Sequence, residues 1–320
     1  MTANSAISFA FKKIQELQRQ LNNVLIGQEN VVDQVLIALL AGGHVLIEGV
    51  PGLGKTLLVK VLAQCFSGQF KRIQFTPDLM PSDVTGHAVY DANEGKFRLK
   101  TGPVFTNLLL TDEINRAPAK TQAALLEVMQ EYCVTIDGGQ RKVPTPFMVL
   151  ATQNPIEQEG TFPLPEAELD RFLLKVLIDY PSLENELRFT ELLSKSTSEA
   201  HQDITPCLTI TDIEKIREIA GTVTLDSKVL EYAVSIVRAT RSHTLIHQGA
   251  GPRASIGLIK SARVFALLQN RDYVTPSDIK SMALPVLRHR ISPTAEAEID
   301  GQSSDSLLGL IIDSIDAPRL

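Results

Sequence analysis

A glycine-rich segment near residue 50 carries the residue types that bind phosphate. Its sequence, GVPGLGKT, fits the pattern G-x-x-x-x-G-K-[ST] at every position and lies between an apolar run and an apolar helical pattern. Glycines let successive backbone N–H groups point at a phosphate, and the positive N-terminal end of the following helix adds to the attraction. Lys55 can reach the β- and γ-phosphates, and the Thr56 hydroxyl can coordinate Mg²⁺. The residues expected to hold the phosphates are Gly49, Val50, Pro51, Gly52, Leu53, Gly54, Lys55, Thr56 and Leu57.

A pair of carboxylates follows another apolar run. The run NLLLTDE places Asp112 and Glu113 at the end of a predicted strand. Beside a phosphate-binding loop, Asp112 can hold Mg²⁺ through water, and Glu113 can polarise an attacking water. Alone, such a pair could equally well cap the next helix, but the phosphate loop favours the catalytic interpretation. Loss of Glu113 is therefore expected to stop turnover without stopping nucleotide binding.

A polar residue ends a third apolar run, VLATQNP. A polar group at the tip of a buried strand is costly unless it has a partner. Asn154 can orient the water between Glu113 and the γ-phosphate. The alternative is an asparagine that starts a turn before Pro155.

The composition is that of an ordinary globular protein. The chain has 320 residues, of which 44% are apolar and 21% charged, and its net charge is -6. This acidic balance, with no block of five or more basic residues, argues against a nucleic-acid-binding protein. Cys65, Cys133 and Cys207 form no C-x-x-C pair, which disfavours a disulfide framework and a zinc site. The start of the chain lacks the pattern of a signal peptide, and no apolar run approaches ~20 residues, so we expect a cytoplasmic protein without membrane insertion.

Short apolar runs alternate with helical patterns over the first 180 residues. Most runs are continuously apolar, as in strands buried on both faces, and their alternation with helices implies a parallel α/β sheet. The five runs are 44–49, 70–75, 107–113, 146–154 and 172–179. Turn residues within 87–100 and 132–145 predict two β-hairpins inserted into this alternation.

The remaining patterns are helical. Apolar spacing predicts a helix over 6–22 and a second helix that begins at Gln28 and ends at Gly42. After residue 180 no strand pattern returns. Capping boxes predict two later helix starts, one formed by Thr211 with Glu214 and one by Thr275 with Asp278. These changes predict three regions, namely an N-terminal helix and linker over 1–24, a nucleotide-binding αβα part over 25–180 and an all-helical part over 181–320.

Four long phrases carry a resemblance that covers roughly residues 8 to 290. The chain resembles the MoxR family of AAA+ ATPases in GVPGLGKT, NLLLTDEINRAPAKTQAALLEVMQE, ATQNPIEQEGTFPLPEAELDRF and GPRASIGLIKSARVFALL. The resemblance implies an ATPase with a P-loop αβα core, a five-stranded parallel sheet and an all-α lid, assembled as a ring that is usually a hexamer. It also implies that the two hairpins face the pore of the ring and touch the substrate or partner.

The resemblance assigns roles to individual residues. Asn154 matches sensor 1, Arg171 in LDRF matches the arginine finger, and Arg253 in GPRAS matches sensor 2. The segment Ile26, Gly27 and Gln28 matches the part of the family that touches adenine. The implied cofactors are ATP and Mg²⁺.

Both arginines also have simpler interpretations. An arginine finger from a neighbouring subunit can be worth 10³–10⁵ in rate. Arg171 could instead pair with Glu168 or Asp170 at the surface. Arg253 begins a predicted helix and could report the nucleotide state to the lid, or it could lie at the surface without such a role.

Three functions remain open at this stage. The resemblance implies an ATP-driven, chaperone-like remodelling factor, often involved in metal-cofactor insertion or complex assembly with a partner that contains a von Willebrand factor A domain. A nucleic-acid motor is the alternative, because the hairpins carry basic residues such as Lys96, Arg98 and Arg141. A nucleotide-gated switch with negligible turnover is the third possibility, which Glu113, Asn154 and Arg171 together argue against.

Overall fold

The protein is an α/β structure with additional C-terminal helices, seen here in a computed structural model that describes residues 3–50, 52–154, 160–195 and 204–319. The helices are α1 (Ala3–Val24), α2 (Glu29–Leu40), α3 (Lys55–Cys65), α4 (Pro81–Thr85), α5 (Ala119–Glu131), α6 (Glu166–Leu169), α7 (Leu183–Lys195), α8 (Ile210–Thr222), α9 (Ser227–Ala239), α10 (Pro252–Leu268), α11 (Pro276–Leu287), α12 (Ala295–Ile299) and α13 (Ser304–Ser314). The strands are β1 (Val45–Gly49), β2 (Phe70–Gln74), β3 (Gly86–Asp91), β4 (Lys96–Thr101), β5 (Leu108–Asp112), β6 (Cys133–Ile136), β7 (Gly139–Lys142), β8 (Met148–Gln153), β9 (Leu174–Ile178), β10 (Ile246–Gln248) and β11 (Ser292–Pro293).

Five parallel strands form the central sheet in the order β2-β5-β8-β1-β9. They correspond to the five apolar runs of the sequence, and the α/β fold class is confirmed. In the register, Ile47 of β1 lies between Thr152 of β8 and Val176 of β9. The carboxyl ends of β1, β5 and β8 therefore meet at one edge, as ligand sites in open parallel sheets require.

Alternate residues of these strands enter two separate hydrophobic cores. Val45 and Ile47 pack on one face with α1, α2 and α3. Leu46, between them, packs on the other face with α5. All three side chains are fully buried. Burial on both faces explains why the runs are continuously apolar instead of alternating.

Two antiparallel hairpins stand beside this sheet where the turn residues predict them. In β3–β4, Tyr90 lies opposite Phe97, and the rings meet edge to face with centroids 5.3 Å apart. In β6–β7, Asp137 and Gly138 turn the chain with positive φ angles of 48° and 78°, which suits a two-residue hairpin loop.

The first helix is longer than the predicted 6–22, since α1 spans Ala3–Val24. Its apolar stripe includes Ile14, Leu17 and Leu21, all fully buried. They belong to the same core as residues of α3, α8 and α10. This helix therefore packs against both the sheet part and the C-terminal helices.

Two expectations about the C-terminal half are wrong. A short antiparallel pair, β10 with β11, occurs after residue 180, and such short strands leave no periodic pattern in a sequence. The capping box of α8 is formed by Thr209 and Asp212 instead of Thr211 and Glu214. Thr209 has the extended backbone of a capping residue and accepts from the Asp212 N–H over 3.0 Å, whereas Thr211 is already helical.

The capping box formed by Thr275 and Asp278 at the start of α11 is confirmed. None of the described helices is long and apolar enough to cross a membrane. Across the described ranges, no cluster of three or more His, Cys, Asp or Glu side chains could hold a metal ion.

Candidate active site

Two of the four predicted catalytic residues, Glu113 and Asn154, lie together at the carboxyl edge of the sheet. A cavity of about 380 Å³ opens between the glycine-rich loop after β1, the ends of β2 and β5, and the end of β8. Its lining includes Lys55, Thr56, Asp112, Glu113 and Asn154. Residues from four separate segments of the sequence thus surround one space.

The loop has the backbone shape that its glycines allow. Gly52 and Gly54 have φ angles of 87° and 78°, in the left-handed region that favours glycine. A Cβ on Gly49 would lie 2.5 Å from the carbonyl oxygen of Ile178 on the neighbouring strand, so a larger residue would separate β1 from β9. Pro51 lies outside the described residues, and Val50 stands just before it.

Helix α3 begins at Lys55 and directs its N-terminal end toward the loop. The Lys55 ammonium donates to the Gly49 carbonyl over 2.5 Å. Burial lowers the pKa of Lys55, and the neighbouring carboxylates of Asp112, Glu48 and Glu113 oppose that shift. Lys55 therefore crosses its own loop while remaining beside the acidic pair.

The Asp112 side chain is held by two partners. Its Oδ2 accepts from Arg72 Nε over 2.6 Å, and its Oδ1 accepts from the Thr152 hydroxyl over 3.3 Å. The residue is 8% exposed, while the Arg72 side chain is about half exposed. The carboxylate is therefore held at the cavity wall between a buried hydroxyl and a half-exposed arginine.

Glu113 has an uncommon backbone conformation. Its φ of 55° lies in the left-handed region, where a residue with a side chain pays roughly 1–3 kcal/mol. The Glu113 N–H donates to the Thr152 hydroxyl over 3.0 Å. Its Oε2 accepts from Gln74 Nε2 over 2.7 Å and pairs with Arg116 Nε at 3.0 Å. Two side-chain contacts, the backbone hydrogen bond and the turned backbone thus fix the direction of this carboxylate.

Three residues of this network escaped the sequence analysis, namely Arg72, Gln74 and Thr152. Gln74 ends β2 directly opposite Asp112, and Thr152 lies near the end of β8. The sequence feature that could have indicated them is the presence of polar residues near the ends of the predicted strands. Because the strand order was unknown, the sequence could not place β2 beside β5.

A second, more apolar pocket adjoins the loop. It is lined by Leu53 and Leu57 together with Ile26, Gln28 and Asn185. The Gln28 amide donates to the Leu53 carbonyl over 3.0 Å, while its Oε1 is buried without a hydrogen-bond partner among the described residues. The structure thus brings the predicted adenine segment next to the phosphate loop.

Gly27 is required at this pocket for two reasons. Its φ is 75°, and a Cβ there would lie 2.4 Å from the Asn185 side chain. A larger residue would therefore displace the start of α7.

Arg171 and Arg253 do not line the cavity at the phosphate loop. They line a different cleft, together with Lys260, at the junction between the sheet part and α10. Arg253 donates to Asp170 Oδ2 over 3.2 Å, so Asp170 pairs with Arg253 in place of the alternative partner Arg171. The two predicted arginines are neighbours, but away from the nucleotide pocket of their own chain.

Asp170 also holds a buried arginine. Arg290 Nε donates to Asp170 Oδ1 over 2.8 Å, and the Arg290 side chain is 3% exposed. Its guanidinium also donates to the backbone carbonyls of Phe172 and Leu173. The segment around Arg171 is therefore tied to the end of α11 by one carboxylate and several carbonyl groups.

Comparisons with known proteins identify the family of both parts of the chain. Residues 44–174 match the ATPase family associated with various cellular activities (AAA), and residues 238–308 match the AAA lid domain. The chain is 42% identical to Chaperone MoxR1 of Mycobacterium tuberculosis over 94% of this chain and 81% of that protein. It is 45% identical to the uncharacterized protein YeaC of Bacillus subtilis over 93% and 92% of the two chains.

A solved structure has nearly the same fold. A putative ATPase from Cytophaga hutchinsonii superposes with a TM-score of 0.92 at 41% sequence identity. The match covers 99% of this chain and 98% of that one. The two chains therefore share one fold over nearly their whole lengths.

Proposed function

The chain belongs to the MoxR family of AAA+ ATPases, and from that membership we propose that it hydrolyses ATP in a ring of identical subunits to remodel a protein client. The observation that carries hydrolysis is the convergence of Lys55, Asp112, Glu113 and Asn154 on one cavity. The proposal places the ring in the cytoplasm, where ATP is supplied.

Each residue has a task that follows from its position. The loop N–H groups and Lys55 bind the phosphates, Asn154 orients a water molecule, and Glu113 accepts its proton as the water attacks. The Thr56 hydroxyl and the Asp112 carboxylate line the same cavity and are the oxygen ligands that Mg²⁺ prefers. Mg²⁺ bound there would supply positive charge to the phosphates.

The apolar pocket supports ATP as the nucleotide. Ile26, Leu53 and Leu57 offer apolar surface to a purine ring. The buried Oε1 of Gln28 can accept a hydrogen bond, which suits the amino group of adenine. The sequence also lacks the N-K-x-D motif that reads guanine.

The second cleft supports assembly. Arg171 and Arg253 do not line the phosphate cavity of their own chain, so we propose that both act on the nucleotide of a neighbouring subunit. An arginine supplied in this way neutralises the charge of the transition state and is worth about 10³–10⁵ in rate. The ring, which we take to be a hexamer, then makes each site depend on the next subunit.

The hairpins support a protein client. The side chains of Tyr90 and Phe97 of β3–β4 are 56% and 75% exposed. Adjacent exposed aromatic rings of this kind mark a surface that contacts another molecule. Three basic residues and two acidic residues leave this hairpin with a formal charge of only +1, and Arg98 is paired with Asp91 and Glu94. Such a small charge favours an apolar protein segment over a nucleic-acid backbone. A partner that contains a von Willebrand factor A domain, acting in metal-cofactor insertion or complex assembly, belongs to this proposal.

The test is a Glu113→Gln variant assayed for ATP hydrolysis and for nucleotide binding. Turnover should fall about 10²–10⁴-fold while ATP binding remains, because the general base is lost and the phosphate loop is intact. Glu127→Gln, on the exposed face of α5, is the matched control and should turn over like the wild type. Equally slow turnover of wild type and Glu113→Gln would refute hydrolysis and leave a nucleotide-gated switch.

Two further measurements address the ring and the client. Mixing Arg171→Ala with Glu113→Gln should restore part of the activity, since the mixed interface joins an intact Glu113 to an intact Arg171. Failure to recover activity would refute the contribution of Arg171 to a neighbour. The Glu113→Gln protein trapped with ATP should co-purify with protein, whereas DNA-stimulated hydrolysis that falls steeply with salt would favour the nucleic-acid motor.

A further inference from the structure

Two cysteines that are far apart in the sequence meet where the C-terminal helices begin. Cys65 is the last residue of α3, the helix that starts at the phosphate loop, and Cys207 lies in segment 204–209 just before α8. The backbone N–H groups of Cys207 and Leu208 donate to the Cys65 carbonyl over 2.8 and 3.1 Å.

The backbone geometry fits a disulfide bond. A 2.8 Å hydrogen bond from the Cys207 N–H to the Cys65 carbonyl keeps the two Cα atoms within about 6.7 Å of each other. Bonded cysteines have Cα atoms roughly 4.4–6.8 Å apart. Both residues are free thiols in this structure, and each thiol shifts the pKa of the other, so the two side chains lie within interaction range. The backbone spacing therefore lies within the range of a disulfide bond.

The surroundings make the two thiols unequal. Cys65 is fully buried, and its Sγ donates to Gln20 Oε1 over 3.6 Å. The neighbouring Cys207 thiol and burial raise the pKa of Cys65, while the neighbouring Cys65 thiol lowers the pKa of Cys207. Lys13 of α1 favours the Cys207 thiolate, and Glu16 of α1 opposes it.

The exposure of the two side chains also makes Cys207 the first thiol to react. Cys207 is partly exposed, so an oxidant can reach it before Cys65. Lys13 Nζ donates to the Cys207 carbonyl over 3.0 Å and pairs with Asp212 of α8 at 3.3 Å. These contacts hold segment 204–209 against α1 and α3, with its thiol beside the buried one.

We propose that Cys65 and Cys207 are a peroxide-sensitive thiol pair whose disulfide ties segment 204–209 to the end of α3. The Cys207 thiolate attacks one oxygen of hydrogen peroxide, the O–O bond breaks, and the departing hydroxide takes a proton to form water. The Cys207 sulfenic acid then reacts with Cys65, whose sulfur attacks the Cys207 sulfur. The S–O bond breaks, the Cys65 proton leaves with the hydroxide as a second water, and the peroxide has gained two electrons from the sulfurs.

The bond would join two elements that the nucleotide cycle uses. Helix α3 carries Lys55 and Thr56 at its other end, and segment 204–209 leads into the helices that carry Arg253. A covalent tie between them restricts any movement of these helices relative to the phosphate loop. This consequence rests on the proposed function, and the oxidised protein should hydrolyse ATP about fivefold more slowly or worse.

The experiment treats the full chain with hydrogen peroxide, alkylates the remaining thiols and maps the peptides under non-reducing conditions. We expect one cross-linked product that joins the Cys65 and Cys207 peptides, a mass loss of two hydrogens, and reversal by dithiothreitol. Cys133→Ser is the matched control, because Cys133 lies on the β6–β7 hairpin, and should still form the bond. Cys207→Ser should abolish it.

Because Cys65 is buried, Cys65→Ala is paired with a thermal unfolding curve that verifies its fold. A folded Cys65→Ala protein should stop at the sulfenic acid or an alkylated Cys207. Cross-links through Cys133, or over-oxidation of Cys207 in the wild type without a bond to Cys65, would overturn the thiol pair. A complete disulfide with unchanged ATP hydrolysis would overturn its regulatory role. Whether the protein hydrolyses ATP at all is tested separately by the Glu113→Gln comparison.

Discussion

Replacing Asp170 with asparagine should destabilise the junction between the sheet part and the C-terminal helices. The Asp170 carboxylate is shared by two arginines, one buried and one exposed. Arg290 is 3% exposed and lies 2.8 Å from Oδ1, while Arg253 is 54% exposed and lies 3.2 Å from Oδ2. The substitution leaves the buried guanidinium without its counter-charge.

The geometry sets the size of the effect. Breaking a buried ion pair by removing one partner costs about 3–5 kcal/mol, because a buried charge remains uncompensated. The asparagine oxygen can still accept from Arg290, whose other N–H groups retain the carbonyls of Phe172 and Leu173. Asp170 is also about one quarter exposed, so water can help. We therefore expect the low end of that range, about 3 kcal/mol, and a fall in Tm of about 4–5 °C for a chain of 320 residues.

The assay is thermal and urea unfolding of Asp170→Asn beside Arg253→Ala. Arg253→Ala removes the exposed partner of the same carboxylate and should cost about 0.5 kcal/mol or less. The ATP hydrolysis rate of Arg253→Ala should nevertheless fall, because the proposed action of Arg253 on the nucleotide of a neighbouring subunit is lost. A loss below about 1 kcal/mol for Asp170→Asn, or equal losses for both variants, would refute the reasoning that burial of Arg290 makes Asp170 important.

Three other perturbations test separate parts of the structure. Burial lowers the pKa of His44 to about 4. The neutral imidazole therefore contributes fully to the free energy of unfolding above pH 6.5, and this contribution is lost as the pH falls toward 4. Over that pH range, His44→Gln should lose less unfolding free energy than the wild type, by up to about 3 kcal/mol. Thr152→Val removes the hydroxyl that contacts both Asp112 and the Glu113 N–H, and kcat should fall about 5–100-fold with little change in Tm. Phe97→Ser should leave basal hydrolysis and Tm unchanged but weaken client binding, because this ring is 75% exposed.

Each of these has a contrary outcome and a control. An unchanged pH profile for His44→Gln would assign the acid sensitivity to other buried groups, of which His289 is one with a lowered pKa. Thr152→Ser keeps the hydroxyl and should retain activity; equal losses for both Thr152 variants would point to packing instead of hydrogen bonding. A Phe97→Ser protein that binds client normally would exclude the face formed with Tyr90 as the contact surface.

The strands and the site loop could be predicted from the sequence because local chemistry specifies them. Doubly buried strands leave continuous apolar runs, and the phosphate loop has a fixed order of residue types. The support of Glu113 by Gln74 could not be predicted, since it depends on β2 lying next to β5. The sequence pattern places the capping residue of α8 two positions too late, because Thr209 and Thr211 offer the same hydroxyl. Only the backbone conformation, extended at Thr209 and helical at Thr211, distinguishes them.

The arginines show a different limit. Their sequence context predicted roles in hydrolysis, but the sequence alone could not place Arg171 and Arg253 in one cleft away from the phosphate loop. That placement depends on how α10 packs against α11 and α11 against β9. It also depends on the buried Arg290, whose partners Asp170 and Leu173 are more than 100 residues away. Long-range packing therefore determines which arginines can act together.

The single core that α1 shares with α3, α8 and α10 also limits how this protein can be recombined. Ile14, Leu17 and Leu21 fill spaces that side chains from both halves of the chain shape together. A chimera that takes its phosphate-loop helix from one relative and its C-terminal helices from another would combine surfaces that never evolved together. Exchange between relatives should therefore succeed for the exposed hairpins, whereas α1, α3 and α8 need to come from one parent.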